Sequence, residues 1–339
     1  MSVSLSSFQS CFVVHIKPVR VTSGELRDML SRNLGDAARW IETAAKAGMA
    51  PAQIVWGQML LEGRGVSRDA AAAFGWFVKA ANGGDIEAKN MVGRCYEQGW
   101  GIAPNARRAT EYFADAAYAG HLWGQVNLAQ MLMRSGKAAD HQRCFELFKK
   151  VAEQGTGKAR LKAMNSLARF LEEGWAGKTD PKQAAFWYLK AANLGDHWAQ
   201  YNLATILLAC GEQQEAERWL ASAVAISDNG FRRRIAPLLL GRTELSVRQH
   251  GLNALAFCAE SGAIEDLWAY GLALDNGVAG TSDTKAGMRF IRQAASLGHA
   301  QAKVHVRHRD GYCTLNRLSD ALGTFSRKMS HLILLKATL

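Results

Sequence analysis

Three histidines near the end of the chain, His299, His305 and His308, are the closest approach in the sequence to a metal-binding cluster. His305 and His308 are spaced to share one face of a helix, as a ligand pair must. A zinc site needs further thiolate, imidazole or carboxylate ligands, and Cys313 is the single candidate nearby, so the reading is surface histidines with no metal. Gly63-Arg64-Gly65 and Gly99-Trp100-Gly101 invite comparison with phosphate-binding loops. Neither follows a strand-like segment or leads into Gly-Lys-Ser/Thr, so no nucleotide or other cofactor is expected. No Ser/His/Asp, Cys/His or paired-carboxylate arrangement stands at an informative spacing, which argues against catalysis. The six cysteines, at 11, 95, 144, 210, 258 and 313, make neither a CxxC pair nor a regular framework, and reduced thiols in a cytoplasmic protein are expected.

The residues that remain must act by recognition, and their placement depends on a repeat. Two small residues followed by a glycine recur: Ala44-Ala45 before Gly48, Ala80-Ala81 before Gly84, Ala116-Ala117 before Gly120, Val151-Ala152 before Gly155 and Ala191-Ala192 before Gly195. Cys258-Ala259 before Gly262 and Ala294-Ala295 before Gly298 continue the series. The spacing is close to three dozen residues, except between Gly195 and Gly262, where a degenerate copy around Trp219-Leu220-Ala221 fits with Ser227 in place of the glycine.

Each unit reads as two helices. The first carries a large apolar residue followed by a small one: Trp56-Gly57, Val92-Gly93, Leu128-Ala129, Leu167-Ala168, Leu203-Ala204 and Tyr270-Gly271. Three residues on comes a second large side chain, Leu60, Tyr96, Leu132, Leu171, Leu207 or Leu274, expected in the core. A glycine turn then ends the helix, because glycine adopts the left-handed backbone that closes it. The second helix opens behind Asp69, Asn105, Asp140, Asp180 or Asp283, whose short polar side chains can accept from free first-turn amides. Aromatics recur along it, Phe74 and Phe77, Tyr112 and Phe113, Phe145 and Phe148, Phe186 and Tyr188, and Phe290, and are expected to plug the space between units.

These units, with their glycine turns and terminal Ala-Ala, closely resemble the Sel-one-like repeat, a relative of the tetratricopeptide repeat, over about residues 36 to 302. The likeness is weaker near Ser135-Gly136 and Cys210-Gly211, where the turn has shrunk. It implies an all-α, right-handed α/α superhelix of about seven complete or degenerate units, acting as a scaffold or adaptor for other proteins.

The candidate binding surface is a polar stripe on the first helices, two residues before and one after the small position: Arg94, Asn127 with Gln130, Ser166 with Arg169, and Asn202 with Thr205. The i, i+3 spacing puts each pair on one helix face, and stacking would align the faces along a groove. Amide and guanidinium groups there can hydrogen-bond a peptide backbone or a carboxylate. The plain alternative is a solvated helix face.

Composition agrees. Apolar residues make up 48% and charged ones 21%, enough to bury a core, and glycines outnumber prolines 32 to 5, which suits helices with glycine turns. The net charge of +11 is spread thinly except in the tail, where Lys303, Arg307, Arg309, Arg317, Arg327, Lys328 and Lys336 outnumber Asp310 and Asp320. Specific nucleic-acid binding is not expected, since clustering rather than total charge makes that footprint. Residues 1–22 read as a loose lead-in, 23–302 as the repeat array and 303–339 as a basic tail. In the tail, Leu315, Leu318, Leu322, Phe325, Met329 and Leu332 form an apolar seam suited to a capping helix. No signal peptide or membrane span is read, and the oligomeric state stays open. The expectation is a bacterial, cytoplasmic, non-catalytic scaffold binding another protein or peptide. The alternatives are a hydrolase-like groove and a basic-surface factor for nucleic acid or the cell envelope.

Overall fold

The computed structural model describes residues 34–310, and the regular elements among them are all helical. Two compact units divide between Leu147 and Phe148. The first contains α1 (Leu34–Lys46), α2 (Ala50–Glu62), α3 (Ala70–Asn82), α4 (Ile86–Gln98), α5 (Ala106–Tyr118) and α6 (Leu122–Arg134). A single 3-10 turn, Ala138–Asp140, leads into α7 (His141–Gln154), within which the division falls. The second unit continues with α8 (Gly157–Glu173), α9 (Pro181–Asn193), α10 (His197–Ala209), α11 (Gln213–Ile226) and α12 (Asn229–Leu240). It ends with α13 (Leu245–Ala259), α14 (Ile264–Asp275), α15 (Thr284–Ser296) and α16 (300–310). The lead-in at 1–22, Cys11, Cys313 and the apolar seam from Leu315 to Leu332 lie outside the described residues.

Within each unit a helix packs on its neighbours in sequence, as the pairs α2 with α3, α4 with α5, α10 with α11 and α12 with α13 illustrate. The small position on the first helix explains the close approach. A Cβ at Gly57 would lie 2.6 Å from the ring of Phe77, and one at Gly93 2.7 Å from the ring of Phe113, so each glycine is the seat of a fully buried phenylalanine about twenty residues on. Phe148, Tyr188, Leu220 and Ile291 are likewise fully buried on their second helices. Phe186, expected to plug, is instead about half exposed, because Tyr188 two residues later takes the inward position. The second large side chain of the first helix is buried at Leu60 and Tyr96 but only half buried at Leu132, Leu171, Leu207 and Leu274.

Hydrogen bonds at the corners account for the Ala-Ala and glycine signature. Gly84 donates to Ala81 O at 3.0 Å and Asp85 to Ala80 O at 3.2 Å; Gly120 and His121 do the same to Ala117 O and Ala116 O, and Gly195 and Asp196 to Ala192 O and Ala191 O. The pattern satisfies the last carbonyls of the helix and needs a left-handed residue, which Gly84, Gly120 and Gly195 supply with φ of 92°, 86° and 85°. Gly155 departs from it. That residue is not left-handed, and Gly157 takes a φ of 57° as α8 begins. Asp69, Asn105, Asp180 and Asp283 cap their helices, accepting from Ala72, Arg108, Gln183 and Ala286 amides. Their own amides donate back to Leu60, Tyr96, Leu171 and Leu274 carbonyls, which fixes the length of the turn. Asp140 closes the 3-10 turn, with Ser135 Oγ 3.5 Å from its carboxylate.

Candidate binding surface

The seven expected groove positions fall on first helices, three in the first unit and four in the second. In the first unit Asn127 Nδ2 on α6 donates to Asn90 Oδ1 on α4 at 2.9 Å. Arg94 lies with its guanidinium carbon 4.8 Å from the centroid of Trp100, the aromatic residue of its own Gly-x-Gly turn. Gln130 is half buried, and its carbonyl accepts from Arg134 Nε at 3.4 Å, while Arg134 also pairs with Glu97. The second unit repeats the design. Asn202 Nδ2 on α10 donates to Asn165 Oδ1 on α8 at 2.9 Å, Thr205 Oγ1 bonds back to Asn202 O at 2.7 Å, and Arg169 lies 5.1 Å over Trp175.

The stripe therefore separates into two kinds of residue. Asn127 and Asn202 tie consecutive first helices together, each by a bond worth about 1 kcal/mol, and so set register. Arg94 and Arg169 rest on indole faces, which orient the guanidinium group. Neither has a carboxylate within salt-bridge distance among the described residues. The asparagine partners were legible in principle: Asn90 and Asn127, like Asn165 and Asn202, are 37 residues apart.

Three further residues join the second unit's stripe. Lys162, one turn before Ser166 on α8, is half buried, and burial pushes its ammonium below the usual lysine range; Asp196 offsets this, while the like charges of Arg169 and Arg234 add to it. Arg234 on α12 lies 5.6 Å over Trp198 on α10. Burial also raises the Asp196 carboxyl, although Asp196 caps α10 by accepting from Ala199 at 2.7 Å.

Near the C-terminal end His299 caps a helix, and His299 and His305 each face a carboxylate. His299 Nδ1 accepts the Ala302 amide at 3.1 Å, so Nε2 carries the proton and faces Glu265 at 3.2 Å; Trp268 stacks on the ring at 5.0 Å. His305 faces Asp275 at 3.1 Å, and Arg309 donates to the same carboxylate at 3.0 Å. His121 forms a twin of the His299 corner, accepting from Gly124 and facing Glu87 at 3.2 Å. Among the described residues no group of three or more His, Cys, Asp and Glu side chains is placed to hold a metal, and no helix is long and apolar enough to cross a membrane.

Comparison with known proteins identifies the class. The Sel1 repeat family matches residues 24–49, 50–85, 86–121, 124–156, 161–196 and 265–299, which together make up more than half of the chain. The chain belongs to the Sel1 repeat family, an all-α repeat of the solenoid class. Among solved structures, a protective antigen present in uropathogenic Escherichia coli strains displaying an SLR fold is similar at 25% identity and a TM-score of 0.52. The match covers 84% of this chain and 63% of the antigen, so the chain spans less than two thirds of that relative. A Sel1 repeat protein from Oxalobacter formigenes is similar at 23% identity and a TM-score of 0.52, over 67% of this chain and 95% of that one. A comparison with curated proteins gave no match.

Proposed function

We propose that the chain is a non-catalytic scaffold that binds another protein through the outward polar face of its first helices, and that it works in the cytoplasm. The observation that carries this reading is the repeated shelf: Arg94 on Trp100 and Arg169 on Trp175 occupy the same register in separate repeats. A cation held on an aromatic face, without a carboxylate of its own, is oriented before its partner arrives, which lowers the entropy cost of binding. Half-buried amides beside it, such as Gln130, suit a peptide backbone. The thiols of Cys95, Cys144, Cys210 and Cys258 are free, in keeping with a reducing compartment.

The test is affinity purification from the native host with the wild-type chain and an Arg94→Ala/Gln130→Ala/Arg169→Ala variant, quantified by mass spectrometry. The expected result is a partner whose recovery falls ~10-fold or more with helicity unchanged, since exposed charged hydrogen bonds contribute strongly only when they meet a partner. Equal recovery by both proteins would overturn the reading.

A further inference from the structure

We propose that Lys162, Arg169 and Arg234, with Trp198 between them, form a docking site for an acidic segment of a partner protein. The proposal rests on the scaffold reading and names the chemistry that one part of the surface selects. Lys162 and Arg169 lie seven residues apart on α8, two turns along one face, with Ser166 between them. Arg234 approaches from α12 over the indole of Trp198 on α10, and its charge and that of Arg169 both act on Lys162. Three cations from two helices thus converge across a third that supplies an aromatic surface.

Several nearby arginines of the second unit are, by contrast, already engaged. Arg233, next to Arg234, makes a two-pronged pair with Asp266 at 2.8 and 2.7 Å. Arg232 is spent on the carbonyls of Val224 and Ala225, Arg218 on Glu215, and Arg309 on Asp275. Lys162, Arg169 and Arg234 have no carboxylate within salt-bridge distance among the described residues. Like charges gathered beside a partly desolvated ammonium raise the energy of the unoccupied site, and an incoming carboxylate relieves both the repulsion and the desolvation. Around them, the half-buried Trp198 and Tyr201 offer apolar surface for side-chain stems.

The charge arrangement favours an acidic peptide over nucleic acid. Glu172 and Glu173 at the end of α8 and Asp196 at the start of α10 border the cations. A phosphate backbone running continuously past them would meet these carboxylates, whereas a short acidic stretch between neutral residues need not.

The experiment uses the full chain and a fluorescent peptide of alternating glutamate and serine with one central leucine, read by anisotropy. Probes run in parallel are the same peptide with glutamine for glutamate, a single-stranded oligonucleotide and inorganic phosphate. The acidic peptide is expected to bind, and the glutamine peptide to bind at least ~10-fold more weakly, as loss of charge-assisted bonds requires. Arg169→Gln/Arg234→Gln, both at exposed side chains, should weaken binding ~10–100-fold, while Arg218→Gln leaves it unchanged. Lys162→Met provides a second variant of similar volume with the same expected direction. Binding of the glutamine peptide as tight as the acidic one, tighter binding of the oligonucleotide or phosphate, or an unaffected double variant would each overturn the proposal. A host partner that depends on Arg94 but is retained by the Arg169→Gln/Arg234→Gln protein would overturn this site alone; a partner indifferent to the whole stripe would overturn the scaffold reading.

Discussion

The stretch α2–α5 and the stretch α10–α13 build similar helix pairs with different chemistry. In α2–α5 the first helix carries glycine at its small position, Phe77 and Phe113 fill the seats, and Gly-x-Gly closes the turn. In α10–α13 the small positions are alanines, Leu220 replaces the phenylalanine, and Cys210-Gly211 stands where the longer turn would be. The corner after α11 has lost its glycine as well. Ser227 there is extended and its Oγ donates to Val224 O at 3.3 Å, while the carbonyls of Val224 and Ala225 accept from Arg232 Nε and Nη2 at 2.9 and 3.0 Å. What the repeat conserves is satisfaction of the last carbonyls of the second helix, and glycine is one of several ways to achieve it. The family match stops at residue 196 and resumes at 265, while helix pairing continues throughout.

The contrast is broken most severely at Gly101. Its φ is 72° and a Cβ there would lie 2.0 Å from Ala70 O, backbone that cannot turn aside. Gly101→Ala should cost on the order of 3–5 kcal/mol. Gly211→Ala, at a φ of 82° with nothing within 4 Å, should cost only about 1 kcal/mol for the backbone conformation. Urea unfolding followed by circular dichroism checks the pair; equal losses would mean that the two turns are under the same constraint.

The substitute cap is the next handle. Arg232→Met removes the side-chain donor to Ala225 O and leaves Val224 O with only the longer bond from Ser227 Oγ, and should destabilise by about 1–2 kcal/mol. Gln125→Met, at a glycine corner, should cost less. Its Nε2 donates to Ala117 O at 3.3 Å, but its own buried Oε1 has no partner among the described residues, so removing the amide also removes an unsatisfied atom. A larger loss at Gln125 than at Arg232 would contradict the substitution of arginine for glycine.

The smallest effect is acid sensitivity at α4. The hydrogen bond from His121 holds the Glu87 carboxyl below its ordinary value of 4.5, burial works against this, and the charges of His121 and Arg94 assist it. Because the folded-state value is the lower one, the stabilisation is complete above the unfolded carboxylate range and is lost as pH falls through the folded value. The side chain is half exposed, so the contribution should be about 0.2–1 kcal/mol. The difference in thermal midpoint between wild type and Glu87→Gln should be positive at pH 6–7 and vanish in acid; a difference that grows on acidification would reverse the assignment.

Much of this was open to reading from the sequence because backbone geometry left marks in residue type. Glycine reported left-handed corners at 84, 120 and 195, and aspartate or asparagine reported caps at 69, 105, 180 and 283. Phe186 misled because period alone does not separate two aromatics two residues apart, and packing chose Tyr188. Another regularity was present but unmarked by type. Gln53, Gln125, Arg160, Gln200 and Arg232 each donate to a carbonyl eight residues earlier, a role that glutamine and arginine share by reach. The candidate surface was legible as a stripe and not as chemistry. Which amides face a neighbouring repeat, as Asn127 and Asn202 do, and which cations have no carboxylate within salt-bridge distance among the described residues, as Lys162 and Arg234 do, depend on contacts between residues more than thirty apart.

The central claim, that helix pairing persists where the motif lapses, is tested most directly by native-state hydrogen exchange with mass spectrometry on the full chain. The account predicts that amides within α10–α13 are protected to a degree comparable with those of α2–α5, with the corner at Ser227 no faster than the glycine corners. Exchange throughout 197–259 at the rate of an unstructured chain, while 50–118 stays protected, would contradict it.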